Sequence, residues 1–216
     1  MRRRISSPVQ SESGWATVFG KQVVTVTLNS AEAMAGDPAV NDMLILVDGL
    51  DREIGSATKW QTHSGGLLHR AFSVVLLRDG ADGCEMLLAR RSVAKYHSGG
   101  LWANSCCSHP RVGEQTKEAA RRRVREELGC EAADLREVTA FAYRAVFDTG
   151  LAEYEYDHVF VGRCEGDVVP DPAEVDEVRW IGFDALAAEL ASEPGKFAAW
   201  APMVLTQVMS WLREQG

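Results

Sequence analysis

The sequence predicts an α/β (α+β) fold in which mixed β-sheets form a sandwich flanked by helices. Short apolar and β-branched runs stand before, between and after helical patterns, as in such a sandwich. The turn-forming pairs Asp79-Gly80 and Asp82-Gly83 separate two of these runs, which indicates a β-hairpin. The 216 residues are 46% hydrophobic and 25% charged, a composition that supports one good core.

The first 41 residues are rich in Ser, Gly, Ala and Val and show no sustained periodicity. We therefore interpret residues 1–41 as a flexible N-terminal extension and residues 42–216 as one folded domain. Ordered structure is predicted to begin with a short buried strand at 43–47, which ends at the turn-forming Asp48-Gly49. A second short strand is expected near Glu53.

Residues 67–77 are predicted to form a long strand, and residues 85–89 its hairpin partner. The stretch 90–114 is a loop dense in Ser, Gly, Cys and His. A helix is predicted over 116–128, with Thr116 as a possible N-cap and Gly129 as its stop signal. Further strands are expected at 138–146, 154–163 and 178–181, and further helices at 183–190 and 200–213.

The overall charge excludes several classes of partner. With 23 basic against 31 acidic residues, the formal net charge is -8, which would repel nucleic acid or an anionic membrane surface. An anionic substrate must therefore meet a local basic cluster. The five cysteines are odd in number and lack a disulfide or zinc-ribbon spacing, so we expect a reducing compartment. With no apolar run near the ~20 residues that span a bilayer, a cytoplasmic location is expected.

The helix at 116–128 carries the first candidate site. At about 100° per residue, Val124 and Leu128 share one stripe, Glu127 lies beside it, and Glu126 is turned away. Arg123 lies one turn before Glu127 on the same flank, so the pair could present a carboxylate to a cation and a guanidinium to phosphate. The alternative is an ordinary surface helix with solvated ion pairs.

A second group of polar residues follows from strand and loop spacing. Glu153 and Glu155 are two apart on a predicted strand, so both carboxylates point to one face, where they repel unless a cation or protons neutralise them. Cys107 lies in a polar loop two residues before His109, where a metal or cationic group could tune its acidity. The alternatives are a harmless carboxylate pair at a strand edge and a histidine with an ordinary hydrogen-bonding role.

The order of residues through the helix resembles the Nudix box, G-x5-E-x7-R-E-U-x-E-E-x-G-U, where U is a bulky apolar residue. The matching positions are Ser108, Glu114, Arg122, Arg123, Val124, Glu126, Glu127, Gly129 and Cys130. Ser108 replaces the usual Gly, and Arg123 replaces the first Glu of the motif. That loss argues against diphosphate hydrolysis, because fewer carboxylates remain to gather metals and orient water.

Residues 102–110 resemble the W-T-N-x-x-C-x-H-P signature of isopentenyl-diphosphate isomerases, with Ala103 in place of the usual Thr. The resemblance runs from about Met43 to the C-terminus and implies a Nudix-type sandwich. It also implies an enzyme of isoprenoid biosynthesis that interconverts isopentenyl diphosphate and dimethylallyl diphosphate by metal-assisted protonation and deprotonation. The implied partner is a small-molecule diphosphate, with no nucleic acid, membrane or obligate protein partner.

The resemblance also implies roles for particular residues. Cys107 becomes one proton-transfer group with Cys106 as its non-catalytic neighbour, and Glu155 with Tyr143 becomes the other. The metal centre, for one manganese, zinc or magnesium ion, would comprise His63, His69, His109, Glu153 and Glu155. Glu127 would bind a magnesium ion that accompanies the substrate diphosphate. The diphosphate grip would comprise Lys59, Arg91, Lys95 and Arg123, while Trp200 would face the cationic intermediate.

Two other functions remain open from the sequence. A Nudix pyrophosphohydrolase acting on a nucleoside diphosphate derivative would release phosphate and would not need Cys107, and it fits poorly with Arg123 in the box. A non-catalytic, metal-stabilised binding module would fold on metal and would be indifferent to exchange of Tyr143 and Glu155.

Overall fold

The protein is described by a computed structural model that covers residues 34, 37, 39–81 and 83–215. Most of the predicted N-terminal extension lies outside these residues, and its flexibility stays a prediction. Of its last residues, Met34 is buried, and the carboxylate of Asp37 lies 2.7 Å from Nζ of Lys59. The backbone N–H of Trp60 donates to the carbonyl of Val40 at 3.1 Å, so the chain contacts the domain just before residue 42.

The predicted strands and helices occur in the predicted order, and the described residues add a short helix at 59–65 and two short strands within 90–114 that the sequence did not predict. The strands are β1 (Met43–Val47), β2 (Glu53–Thr58), β3 (His69–Gly80), β4 (Gly83–Arg91), β5 (Trp102–Ala103), β6 (Cys106–Ser108), β7 (Glu131–Val146), β8 (Ala152–Glu165) and β9 (Val175–Gly182). The helices are α1 (Lys59–Gly65), α2 (Thr116–Leu128), α3 (Phe183–Ser192) and α4 (Ala201–Gln215), with a short 3-10 turn at Pro194–Lys196.

Strand β3 is the centre of the sheet. It pairs antiparallel with β1, β4 and β6 and parallel with β8, while β7 adds to β8 and β9 adds to β4. Both faces of β3 are covered, which explains why residues 71–77 read as an almost continuous apolar run instead of an alternation. The combination of parallel and antiparallel pairs confirms the predicted mixed sheet.

Successive residues of β3 enter two different cores. Val75 packs on one face with Leu186 of α3 and Val204 of α4. Val74 packs on the other face with Val124 of α2. The two-residue period of the strand therefore divides the interior into two helix-covered layers, and the predicted sandwich is confirmed.

Helix α2 has the predicted bounds, but the predicted N-cap is wrong. Gln115 is the N-cap residue and makes no side-chain capping hydrogen bond, whereas Thr116 is already helical. The stop signal works as expected, because Gly129 adopts φ 64°. A Cβ there would come within 2.7 Å of the carbonyl oxygen of Val169, so both conformation and space require glycine.

Strand β7 begins seven residues before its predicted start. Register shifts between Ala133 and Arg136 and between Glu137 and Thr139 break the alternation there, so the pattern hides the first half of the strand. The predicted loop at 90–114 also contains the short strands β5 and β6. In the part of the chain that the structure describes, no helix has the length and apolarity that a bilayer crossing requires.

Candidate active site

Four strands bring the candidate residues to one face of the sheet. Glu155 of β8 lies between His69 of β3, its parallel neighbour, and Tyr143 of β7, its antiparallel neighbour. Cys107 of β6 pairs with Ser73 of β3. Side chains at paired positions share a face of the sheet, so strand register alone groups these residues.

The side chains surround a cavity of about 430 Å³. Its walls hold most of the residues that the sequence singled out. The lining includes Lys59, Arg91, Lys95, Cys107, His109, Arg123, Glu127, Tyr143, Glu153, Glu155 and Trp200. His63 and His69 are buried behind the wall and approach the site through the cluster described next.

A compact cluster of imidazoles and a carboxylate lies at the inner end of the cavity. One donor atom from each of His63, His69, His109 and Glu153 lies within 4.8 Å of all the others. Nε2 of His69 is 3.1 Å from Nε2 of His109, and Oε2 of Glu153 is 3.2 Å from Nδ1 of His63. Within the described residues, Oε2 of Glu153 and Nε2 of His63 have no hydrogen-bond partner.

The cluster owes its geometry to local structure. Thr58 and Gln61 form a reciprocal capping box that starts α1, so this short helix projects Lys59 and His63 from one side, one turn apart. Nδ1 of His69 lies 2.9 Å from the carbonyl oxygen of Leu67, which fixes the ring and leaves Nε2 facing the cluster.

Glu155 joins this cluster to Tyr143. Its Oε1 lies 3.0 Å from Nε2 of His109 and 3.7 Å from Nε2 of His69, and its Oε2 accepts a hydrogen bond from the Tyr143 hydroxyl at 2.5 Å. Burial and the charge of Glu153 oppose ionisation of Glu155, but the hydrogen bond with His109 and the nearby His69 ring lower its pKa. Burial raises the pKa of Tyr143 well above its usual range. The pair is therefore a carboxylate held by a neutral phenol.

The donor set fits a divalent metal ion. Burial lowers the pKa of His109 to about 4, so its imidazole is neutral, which is the form that binds a metal ion. The unpaired buried atoms of Glu153 and His63 are the kind of ligand atom that an ion would satisfy. Mixed imidazole and carboxylate ligands suit manganese, zinc or magnesium.

Cys107 lines the same cavity and is held by three polar contacts. Its Sγ accepts a hydrogen bond from Nε1 of Trp200 at 3.1 Å, donates to Oδ1 of Asn104 at 3.1 Å, and lies 3.6 Å from Oγ of Ser73. Burial raises the pKa of its thiol to about 12, so it carries its proton at neutral pH. Cys106 points to the opposite face of β6 and packs in the other core.

The predicted basic residues line the cavity, and three of them are paired with carboxylates. Lys59 pairs with Asp37, Lys95 with Glu174, and Arg123 with both Glu127 and Glu174. Arg91 is different, because its guanidinium lies over the Trp200 ring, 5.1 Å from the centroid. The basic cluster is thus largely charge-compensated, which the sequence did not predict.

Sequence reasoning missed two buried polar residues of this region, His97 and Asp157. Nε2 of His97 lies 2.6 Å from Oε1 of Glu153, and Asp157 accepts a hydrogen bond from Ser73 at 2.8 Å. Asp157 continues the two-residue spacing of Glu153 and Glu155, which was a usable signal. For His97 the only signal was its position in the polar loop next to the predicted grip.

The side chains around the cavity are suited to proton transfer and to binding an anion. A protonated thiol and a carboxylate–phenol pair that line one cavity could exchange protons with a small molecule bound there. The Trp200 ring adds an aromatic surface that favours positive charge. The basic side chains of the lining provide contacts for an anionic group.

Known proteins resemble the chain in both sequence and fold. The NUDIX domain family matches residues 67–201. The chain is 48% identical over 161 residues to the isopentenyl-diphosphate Delta-isomerase of Burkholderia multivorans, covering 74% of this chain and 89% of that protein. It is 44% identical over 175 residues to isopentenyl-diphosphate Delta-isomerase 1 of Aromatoleum aromaticum, covering 81% and 97%.

Solved structures share the fold at low identity. A Deinococcus radiodurans protein superimposes with a TM-score of 0.59 at 22% identity, covering 77% of this chain and 98% of that one. A MutT NUDIX hydrolase from Burkholderia pseudomallei gives 0.51 at 17% identity, covering 65% and 98%. Identities this low speak only for the architecture.

Proposed function

Because the chain belongs to the isopentenyl-diphosphate Delta-isomerase family of NUDIX-domain proteins, we propose that it interconverts isopentenyl diphosphate and dimethylallyl diphosphate in isoprenoid biosynthesis. One structural observation supports the proposal independently of family membership. The thiol of Cys107 and the Glu155–Tyr143 pair line one cavity, beside Trp200. Diphosphate hydrolysis would require neither the thiol nor the phenol in that position.

The reaction adds one proton to the terminal alkene carbon and removes another from the allylic carbon, through a tertiary carbocation. In the direction of dimethylallyl diphosphate, Glu155 with Tyr143 delivers the first proton and Cys107 accepts the second. In the reverse direction the roles exchange, and the protonated thiol becomes the donor. With a neutral thiol and an ionised Glu155, the enzyme is in the protonation state from which the reverse direction starts.

A divalent ion, manganese, zinc or magnesium, would be held by His63, His69, His109, Glu153 and Glu155. When bound, it supplies positive charge that neutralises the two neighbouring carboxylates. The chain's own residues then set the geometry, because strand pairing fixes Glu155 next to His69 and Tyr143.

The diphosphate would bind at the basic end of the cavity, against Lys59, Arg91, Lys95 and Arg123. Glu127 would hold a magnesium ion that accompanies the diphosphate. Glu174 sits between Lys95 and Arg123, so substrate oxygens must compete with this carboxylate for both cations. Substrate binding therefore exchanges existing ion pairs for new ones.

A carbocation in contact with water would be quenched, so the hydrocarbon end requires a dry pocket. Trp200 is buried and donates its indole N–H to Cys107, which leaves its ring to face the substrate. We place the enzyme in the cytoplasm, because a reducing compartment keeps a functional thiol free.

The test is a product analysis. Metal-loaded protein is incubated with isopentenyl diphosphate and followed by proton and phosphorus NMR. We expect dimethylallyl diphosphate with no inorganic phosphate. Phosphate release without the isomer would favour a hydrolase, and absence of turnover by well-folded, metal-loaded protein would refute the proposal.

A further inference from the structure

We propose that His97 is a positioning residue of the metal centre, which holds Glu153 in its ligating orientation from outside the coordination shell. The inference deepens the proposed function and rests on its metal site. His97 is not one of the clustered donors, because its contact is with the far oxygen of Glu153.

The two oxygens of Glu153 have different surroundings. Oε1 lies 2.6 Å from Nε2 of His97. Oε2 faces the cluster, 3.2 Å from Nδ1 of His63 and 4.0 Å from Nε2 of His69, and has no hydrogen-bond partner within the described residues. One oxygen is therefore anchored while the other is presented to an ion.

His97 is itself held firmly. Its side chain is only 4% exposed, and its ring stacks on Phe147 with centroids 4.3 Å apart and planes 10° from parallel. The edge of the ring meets Trp200 at 5.8 Å, and Nδ1 lies 3.3 Å from Oγ of Ser98. Ser98 adopts φ 52°, a costly left-handed conformation for a serine at this loop position.

The physical reason for such a residue is orientation. A glutamate side chain has several rotatable bonds, and an anchored oxygen removes the freedom that metal binding would otherwise have to freeze. The same imidazole contacts Trp200, whose indole N–H donates a hydrogen bond to the thiol of Cys107. The His97 ring therefore links the metal ligand Glu153 to the thiol through Trp200.

The test measures metal affinity without substrate, which separates it from the test of isomerase activity. The full chain is stripped with a chelator and titrated with Mn²⁺ alone by calorimetry. His97→Phe keeps the stacking but loses the hydrogen bond, and His97→Gln keeps a donor near the Nε2 position. His158→Phe is the matched control, because His158 binds Asp51 and Glu137 away from the cluster.

We expect His97→Phe to weaken Mn²⁺ binding by about 10- to 100-fold, as outer-shell changes typically do. His97→Gln should recover most of the affinity, and His158→Phe should leave it unchanged. Circular dichroism of each metal-free variant checks its folding. Unchanged affinity in a folded His97→Phe protein, equal losses in the Phe and Gln variants, or no Mn²⁺ binding by the unmodified chain would overturn the proposal.

Discussion

Removing the Tyr143 hydroxyl tests the proton-transfer pair directly. In Tyr143→Phe, Oε2 of Glu155 loses the phenol at 2.5 Å, its one hydrogen-bond partner among the described residues. A hydrogen bond to a charged group contributes about 1.5–3 kcal/mol. If this contribution is realised in the transition state, kcat falls by about 10- to 150-fold, at ~1.36 kcal/mol per factor of ten.

The assay measures kcat and KM for isopentenyl diphosphate, together with Mn²⁺ affinity. KM should change little, because Tyr143 makes no hydrogen bond to the basic residues that would bind the diphosphate. Mn²⁺ affinity should fall, because Tyr143 supports the proposed metal ligand Glu155, so kcat is measured at saturating Mn²⁺. Tyr154→Phe is the matched control, since Tyr154 lies on the other face of β8. A kcat within about twofold of the unmodified enzyme would show that this hydrogen bond does not contribute to the transition state, because a loss below ~0.4 kcal/mol cannot represent such a bond.

Three further predictions follow from the same geometry. Cys107→Ala should abolish isomerisation while leaving calorimetric binding of inorganic diphosphate within a few-fold, because none of the thiol's hydrogen-bond partners is a basic residue; retained turnover would contradict this. In metal-free protein, the pKa rise of Cys107 from 9.0 to about 12 should make its alkylation by iodoacetamide at pH 8 roughly 1000-fold slower than that of a free cysteine derivative. The rate, followed by mass spectrometry of the Cys107 peptide, should keep rising as pH approaches 12, and a plateau near pH 9 would be inconsistent with the buried neutral thiol. Glu127→Gln should raise the magnesium concentration for half-maximal activity roughly tenfold, the effect of losing about 1.4 kcal/mol of charge interaction; an unchanged magnesium dependence would remove Glu127 from the diphosphate site.

Local periodicity predicted the parts of the site that depend on a single element. The spacing of Glu153 and Glu155 put both carboxylates on one face of β8, and the helical wheel put Glu127 beside the buried stripe of α2. Both follow from geometry that neighbouring residues fix. The predicted N-cap at Thr116 failed because the Ser/Thr preference is statistical: Thr116 is the first helical residue, and Gln115 is the N-cap.

Contacts between segments that are distant in the sequence could not be predicted from local periodicity. His97 meets Glu153 across 56 residues of sequence, and Lys95 meets Glu174 across 79. These pairs depend on how loops fold over the sheet, which no single periodicity encodes. For the same reason the sequence predicted a basic patch but not the carboxylates that compensate it.

The carboxylates that pair with the basic residues affect substrate binding. Asp37 and Glu174 form ion pairs with the side chains of Lys59, Lys95 and Arg123, which the diphosphate would contact. The arrangement keeps the cations in place in the absence of substrate and lets an anion of higher charge, with its magnesium, displace the carboxylates. Specificity for a diphosphate over a monophosphate is expected from this competition.

In the proposed reaction the alkene lies between the thiol and the carboxylate–phenol pair. A crystal structure of metal-loaded Cys107→Ser protein with isopentenyl diphosphate bound would test it most directly. We expect the five-carbon chain between the substituted side chain at position 107 and the Glu155–Tyr143 pair, with the diphosphate against Arg91, Lys95 and Arg123. A five-carbon chain outside this gap, with both groups on the same side of the alkene, would rule out this placement.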